Sequence, residues 1–303
     1  RMAMGRYKQY LRMAPAGAPA SDAAADLYRI LLDDLGVASD AFQFMDEVGE
    51  KFRDSIRARQ FDPWFVQNAR DQKAYGSMAR RLAKVLSEGL PIEQEKLYYW
   101  DPVDWLMQDV TQGRPEHFAA LPHCRQIVSS IRESPWRTAR YGFYVAHLAF
   151  KAGAAGKETT VLDRDYENVI AQAKAYFDAF PTAATLQDIF TVFSGGIGRR
   201  DDAEWARALP KKQELFKYAF TKLTDADREV MMAWKLNSMN LRCATPGQWV
   251  DLGAAYPELF KRSASTTTLQ FMPVVNDPAL YKKMSTFLQG VAGDWHFVQQ
   301  PAV

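Results

Sequence analysis

The 303 residues carry 38 Lys and Arg against 36 Asp and Glu, a net charge of +2, and 48% of them are hydrophobic. That apolar content excludes a disordered chain, and the charge balance argues against a nucleic-acid partner, because neutralising phosphates takes a clear excess of cations. Only Cys124 and Cys243 are present, which excludes a disulfide-built scaffold, and no apolar run approaches the ~20 residues of a membrane-spanning helix.

Residues 1–21 read RMAMGRYKQYLRMAPAGAPAS, with Arg1, Arg6, Lys8 and Arg12 and no acid. This is the composition of a matrix-targeting leader or of the stretch behind one, and a chain that begins with Arg is what processing would leave. The expected location is mitochondrial, on the matrix side or at the inner membrane, with the cytoplasm as the alternative. Ala14 to Ala20 has no core-forming period, so residues 1–21 are predicted to be a basic extended segment. Arg6 and Arg12 are its candidate partner contacts.

Beyond it, one local device recurs: a small capping residue, then proline, then an aromatic. It occurs at Asp62-Pro63-Trp64, Asp101-Pro102 with Trp105, Ser134-Pro135-Trp136, Thr245-Pro246 with Trp249, and Asp277-Pro278 with Tyr281. The capping oxygen accepts from first-turn N–H groups and proline at the first helical position has no N–H to leave unpaired, so each reads as a helix start. The aromatic is expected to anchor the new helix in the core. Helical spacing predicts a first helix from Asp22 to Leu35 stopped by Gly36, a second over Ser39–Arg59, and a third from Asp62 to about Gly89. Trp100 and Trp105 flank the Asp101 cap as a hydrophobic staple, and 112–122 reads as irregular or one short helix. The helix opened by Ser134 is apolar nearly all round and therefore central.

Gly153 and Gly156 mark the best internal boundary. The predicted organisation is a helical region over 22–152, a second over 153–290 and an apolar tail over 291–303. In the second region, helices are expected up to Pro181, on to Phe193, from Asp201 to Leu223 and from Thr224; Thr266–Val275 alone has strand-like composition. The fold class is all-α, an irregular bundle or α-solenoid of antiparallel helix pairs with little or no sheet. No 34-residue self-similarity supports a tetratricopeptide array.

Candidate chemistry is sparse. Ser194-Gly195-Gly196-Ile197-Gly198-Arg199-Arg200 offers backbone N–H groups and two guanidinium groups to an anion, which makes Gly195, Gly196, Gly198, Arg199 and Arg200 the candidate anion site. It lacks the Lys-Ser/Thr pair of a phosphate loop, and as a tight turn between helices it needs no ligand. His117, His123 and Cys124 match no closed zinc pattern, so no metal and no cofactor are expected. HExxH, GxSxG and Glu-x-x-His are all absent, so no catalytic residue is assigned. Tyr98, Tyr99 and Trp100, with Trp295 and Phe297, are candidate partner anchors.

These features favour a non-catalytic accessory subunit of a large assembly, bound to other protein subunits and peripheral to a mitochondrial energy-converting membrane complex such as ATP synthase or the respiratory chain. A stand-alone helical enzyme or anion-binding protein, and a helical-repeat adaptor, are the alternatives.

Overall fold

Apolar residues at helical spacing dictate the computed structural model, which describes residues 2–15, 18–48, 51, 65–87, 100–132, 134–154, 162–195 and 202–237, with the isolated positions 278 and 282. The described residues are 87% helical and include no strand, so the chain is all-α. It divides into two units, 1–157 and 158–303.

The first unit begins with α1 (Met2–Met13), α2 (Ala18–Arg29) and α3 (Ala38–Val48), so within the segment 1–21, expected to be extended, residues 2–13 and 18–21 are in fact helical. Leu11 and Ala14 find an apolar core with Leu27, Tyr28, Leu31 and Phe44, and burying them there outweighs the weak period of the segment. Lys51 Nζ closes the end of α1, donating to the Arg12 carbonyl at 2.7 Å and reaching the Leu11 carbonyl at 3.5 Å. The last turn of α2 widens into a π-helix over Ile30–Asp34, with the Leu35 N–H bonded to the Ile30 carbonyl at 3.0 Å, and Gly36 takes the predicted left-handed stop at φ +61°.

The long helix expected from Asp62 is interrupted. A helical segment over 65–71 ends before α4 (Tyr75–Ser87), and Lys73 between them has φ 55°. The Ala74 N–H donates to the Ala69 carbonyl at 2.7 Å and the Lys73 N–H to the Arg70 carbonyl at 2.9 Å. That pair of bonds is a Schellman motif, with lysine in the place that glycine usually takes. Asn68 Nδ2 donates to the Tyr28 hydroxyl at 2.7 Å, which ties 65–71 to α2, and burial pushes the Tyr28 phenol up to about 12.

Next come α5 (Trp100–Val110), a 3₁₀ turn over Pro115–Ala120, α6 (Leu121–Ser130) and α7 (Pro135–Ala154). Ser134 Oγ accepts from the Arg137 N–H at 3.3 Å, which is the predicted cap. Tyr141, Phe143, Tyr144, Leu148 and Phe150 of α7 are buried, and α7 packs on α5, α6 and the 3₁₀ turn. It runs through Gly153, so that glycine lies in its last turn rather than opening the second half.

The second unit contains α8 (Leu162–Ala179), α9 (Ala183–Gly195), α10 (Asp202–Lys222) and α11 (Asp225–Asn237). Thr182 Oγ1 caps α9 by accepting from the Thr185 N–H at 3.2 Å, and Thr224 Oγ1 caps α11 by accepting from the Asp227 N–H at 3.1 Å. The Asp227 carboxylate in turn accepts from the Ala183 N–H at 3.0 Å, which joins the starts of α9 and α11. The caps at Asp62 and Thr245, the strand-like stretch Thr266–Val275 and the tail 291–303 lie outside the described residues.

Left-handed geometry costs a residue with a Cβ about 1–2 kcal/mol, partly offset by the chain entropy that glycine adds to the unfolded state. Lys73→Gly is therefore expected to stabilise the protein by about 0.5–1 kcal/mol in urea unfolding. Gly113→Ala has the opposite sign: φ is +60° there and an added Cβ would stand 2.5 Å from Lys151 Cγ, so a loss of about 2 kcal/mol is expected in the same measurement.

Candidate interaction site

The seam between α5 and α7 is built from arginines and aromatic rings. Trp100 opens α5 and is 7% exposed, packed inward rather than presented as a surface anchor. Arg137, in the first turn of α7, lies 4.6 Å from the Trp100 ring centroid. Asp104, one turn along α5 from Trp100, stands 3.7 Å from Arg137 and accepts the Tyr141 hydroxyl. Burial raises the Asp104 carboxyl above the usual aspartate range, against the lowering pull of Arg137 and Arg140. Arg137 Nε is buried without a hydrogen-bond partner among the described residues, so charge and ring stacking hold the guanidinium in place.

On the outer side the order is reversed. Trp105 and Trp136, expected to anchor their helices in the core, are 39% and 36% exposed. The seam already takes Trp100 and Tyr141 inward, and Trp105 and Trp136 stand five residues from them, about 140° round each helix. Each exposed indole is partly covered by an arginine. Arg70 lies 5.8 Å from the Trp105 ring and is held by a two-pronged bond to Asp109, at 2.6 and 3.1 Å. Arg140 lies 4.8 Å from the Trp136 ring and 5.1 Å from that of Tyr144, and its Nε donates to the Tyr144 hydroxyl at 2.8 Å. The Trp136 and Arg140 spacing of four places both on one side of α7. Flat indoles under fixed guanidinium groups supply apolar area and directed charge, which suits binding.

The other predicted residues fall elsewhere. Arg6 is exposed on α1; Arg12 is exposed at its end and pairs with Glu47 at 2.6 Å. Gly195 is the last residue of α9, while Gly196, Gly198, Arg199, Arg200, Tyr98, Tyr99, Trp295 and Phe297 lie outside the described residues. Lys212, 2% exposed, sets its Nζ 3.5 Å from the Phe193 carbonyl and 5.1 Å from the Phe193 ring, a buried cation against the negative end of α9.

Cys124 is buried, with its thiol pushed up to about 12 by burial, so it is not a ready thiolate. His117 is 1% exposed, edge-on to Tyr75 at 4.4 Å, and its Nδ1 accepts from the Arg114 N–H at 3.2 Å. No group of three potential metal ligands occurs among the described residues. No family model matches the chain, nor does any curated protein or solved structure.

Sequence reasoning missed the outward Trp105 and Trp136. The spacing of four between Trp136 and Arg140 was available as a signal, whereas the partnership of Trp105 with Arg70 is non-local.

Burial holds His117 below the ordinary histidine value of 6.5, so on acidification the unfolded chain takes up the proton first. Its contribution to stability is intact above pH 6.5 and is lost as the pH falls below that value. Urea unfolding at pH 7.5 and 5.5 should show this loss, at up to about 1.4 kcal/mol per pH unit. In His117→Gln, which keeps an acceptor for Arg114 but does not titrate, the pH dependence should be visibly flatter.

Proposed function

We propose that this chain is a non-catalytic accessory subunit of a multisubunit assembly and docks onto a partner protein through the α5–α7 face. The observation that supports this reading is the pair of exposed tryptophans, Trp105 and Trp136, each under an arginine, on two helices in direct contact. Single exposed apolar residues are ordinary, but Trp and Arg are the residue types that dominate interface hot spots, and here each exposed Trp is paired with an Arg. The arginines are already immobilised by Asp109 and Tyr144, so docking would cost little further side-chain entropy.

The assembly proposed is a mitochondrial energy-converting membrane complex, such as ATP synthase or the respiratory chain, with this chain at its periphery. The acid-free basic composition of 1–21 supports the compartment, and the near-neutral net charge disfavours a ribosomal place. Among the described residues no helix is long and apolar enough to cross a membrane, which suits attachment by contact.

Blue-native electrophoresis of gently solubilised membranes, with mass spectrometry of the band, tests this. The 34.4 kDa chain should migrate in a high-mass band with defined companions. Trp105→Ala combined with Trp136→Ala should release it to a band near its own mass, and a circular dichroism spectrum unchanged from the parent's shows that the variant, which loses the buried part of two indoles, is still folded. A native chain that migrates alone contradicts the reading.

A further inference from the structure

We infer that the outer face of α1 is a contact site for an anionic phospholipid surface. Arg6, Gln9, Tyr10 and Met13 recur at i, i+3, i+4 and i+7, and all four are exposed, so they form one stripe along the helix. Tyr10 is 59% and Met13 77% exposed, the largest values among the exposed large hydrophobics of the described residues. Arg12 flanks the stripe, itself half exposed. The opposite side is committed to the fold: Leu11 is fully buried and Lys8 stands 5.9 Å from the Phe44 ring.

Residues 1–21 contain four cations and no acid; of those described, Arg6 lies in the stripe, Arg12 beside it and Lys8 on the opposite side. Glu47 neutralises part of Arg12; of the exposed acids nearest in sequence, Asp33 and Asp34 lie in the π-helical turn after α2 and Asp40 in the first turn of α3. A helix carrying a cation and large apolar side chains in one stripe, with a second cation beside it, is suited to the boundary between headgroups and acyl chains. Its arginine stems lie along apolar surface, their heads reach phosphate, and the tyrosine ring sits at headgroup level. Lys51 and the α2–α3 core hold α1 in shape before contact, so no folding on binding is required. The lipid contact is direct, is separate from the α5–α7 face, and stands or falls independently of it.

The test is co-sedimentation of the full chain with vesicles of phosphatidylcholine containing about 30% phosphatidylglycerol, against phosphatidylcholine alone. Retention on the anionic vesicles, weak retention on the neutral ones and release by high salt are expected. Arg6→Gln should weaken retention about fivefold, and Tyr10→Ser with Met13→Ser should weaken it by a comparable factor. All three side chains are exposed, and unchanged circular dichroism would confirm that the variants fold. Equal retention on both vesicle types, none on either, or variants that bind as the parent does would overturn the inference. So would poly-L-glutamate of about 20 residues that binds as tightly and depends on the same side chains, which would point to an acidic protein instead.

Discussion

Arg137 is the residue on which the α5–α7 seam depends. Its guanidinium lies between the Trp100 ring at 4.6 Å and the Asp104 carboxylate at 3.7 Å, and no hydrogen bond anchors Nε among the described residues. A partly buried cation held this way relies on stacking and Coulomb attraction in place of directed bonds, and both strengthen as water is excluded. The indole must therefore stay inside. With Trp100 and Tyr141 committed to the seam, Trp105 and Trp136 are turned outward, each partly covered by an arginine. The exposed aromatic surface follows from how the two helices are joined.

Elsewhere in the fold, cations serve a second structural purpose. Lys51 closes the end of α1 and Lys212 that of α9, while Arg228 donates to the Phe220 and Thr221 carbonyls at the end of α10, at 3.0 and 2.7 Å. Carbonyls of a last helical turn have no partner within their own helix, and a lysine or arginine from another segment both pairs them and meets the negative end of the helix dipole. A chain with nearly equal numbers of acids and bases thus spends many of its bases inside the architecture. The stripe of α1 departs from that pattern, since Arg6 lies exposed beside Tyr10 and Met13.

Much of the fold was legible because its signals are local. Ser134 and Thr224 cap as their positions require, Gly36 stops its helix, and α7 is buried along most of its length. The failures share a physical origin in direction and distance. The cap, proline and aromatic device locates a helix start but does not say which way the ring faces, so Trp105 and Trp136 were misread as core. Ala14 to Ala20 has no period of its own, and residues 2–13 before it are nonetheless helical, with Leu11 in a core supplied by α2 and α3. Lys73 ends its helix in a conformation that its side chain gives no reason to expect; the bonds from Ala74 and Lys73 back to Ala69 and Arg70 impose it. In the candidate site, the pair Trp136 and Arg140 was readable from spacing, and the pair Arg70 and Trp105 was not.

The most direct measurement is hydroxyl-radical footprinting of Trp105 and Trp136, read by mass spectrometry in gently solubilised native material and in the same chain after dissociation. If the α5–α7 face binds a partner protein, both indoles are protected in the native material and oxidised in the free chain, while buried Trp100 is protected in both. Equal oxidation of Trp105 and Trp136 in the two states would contradict a docking role for this face.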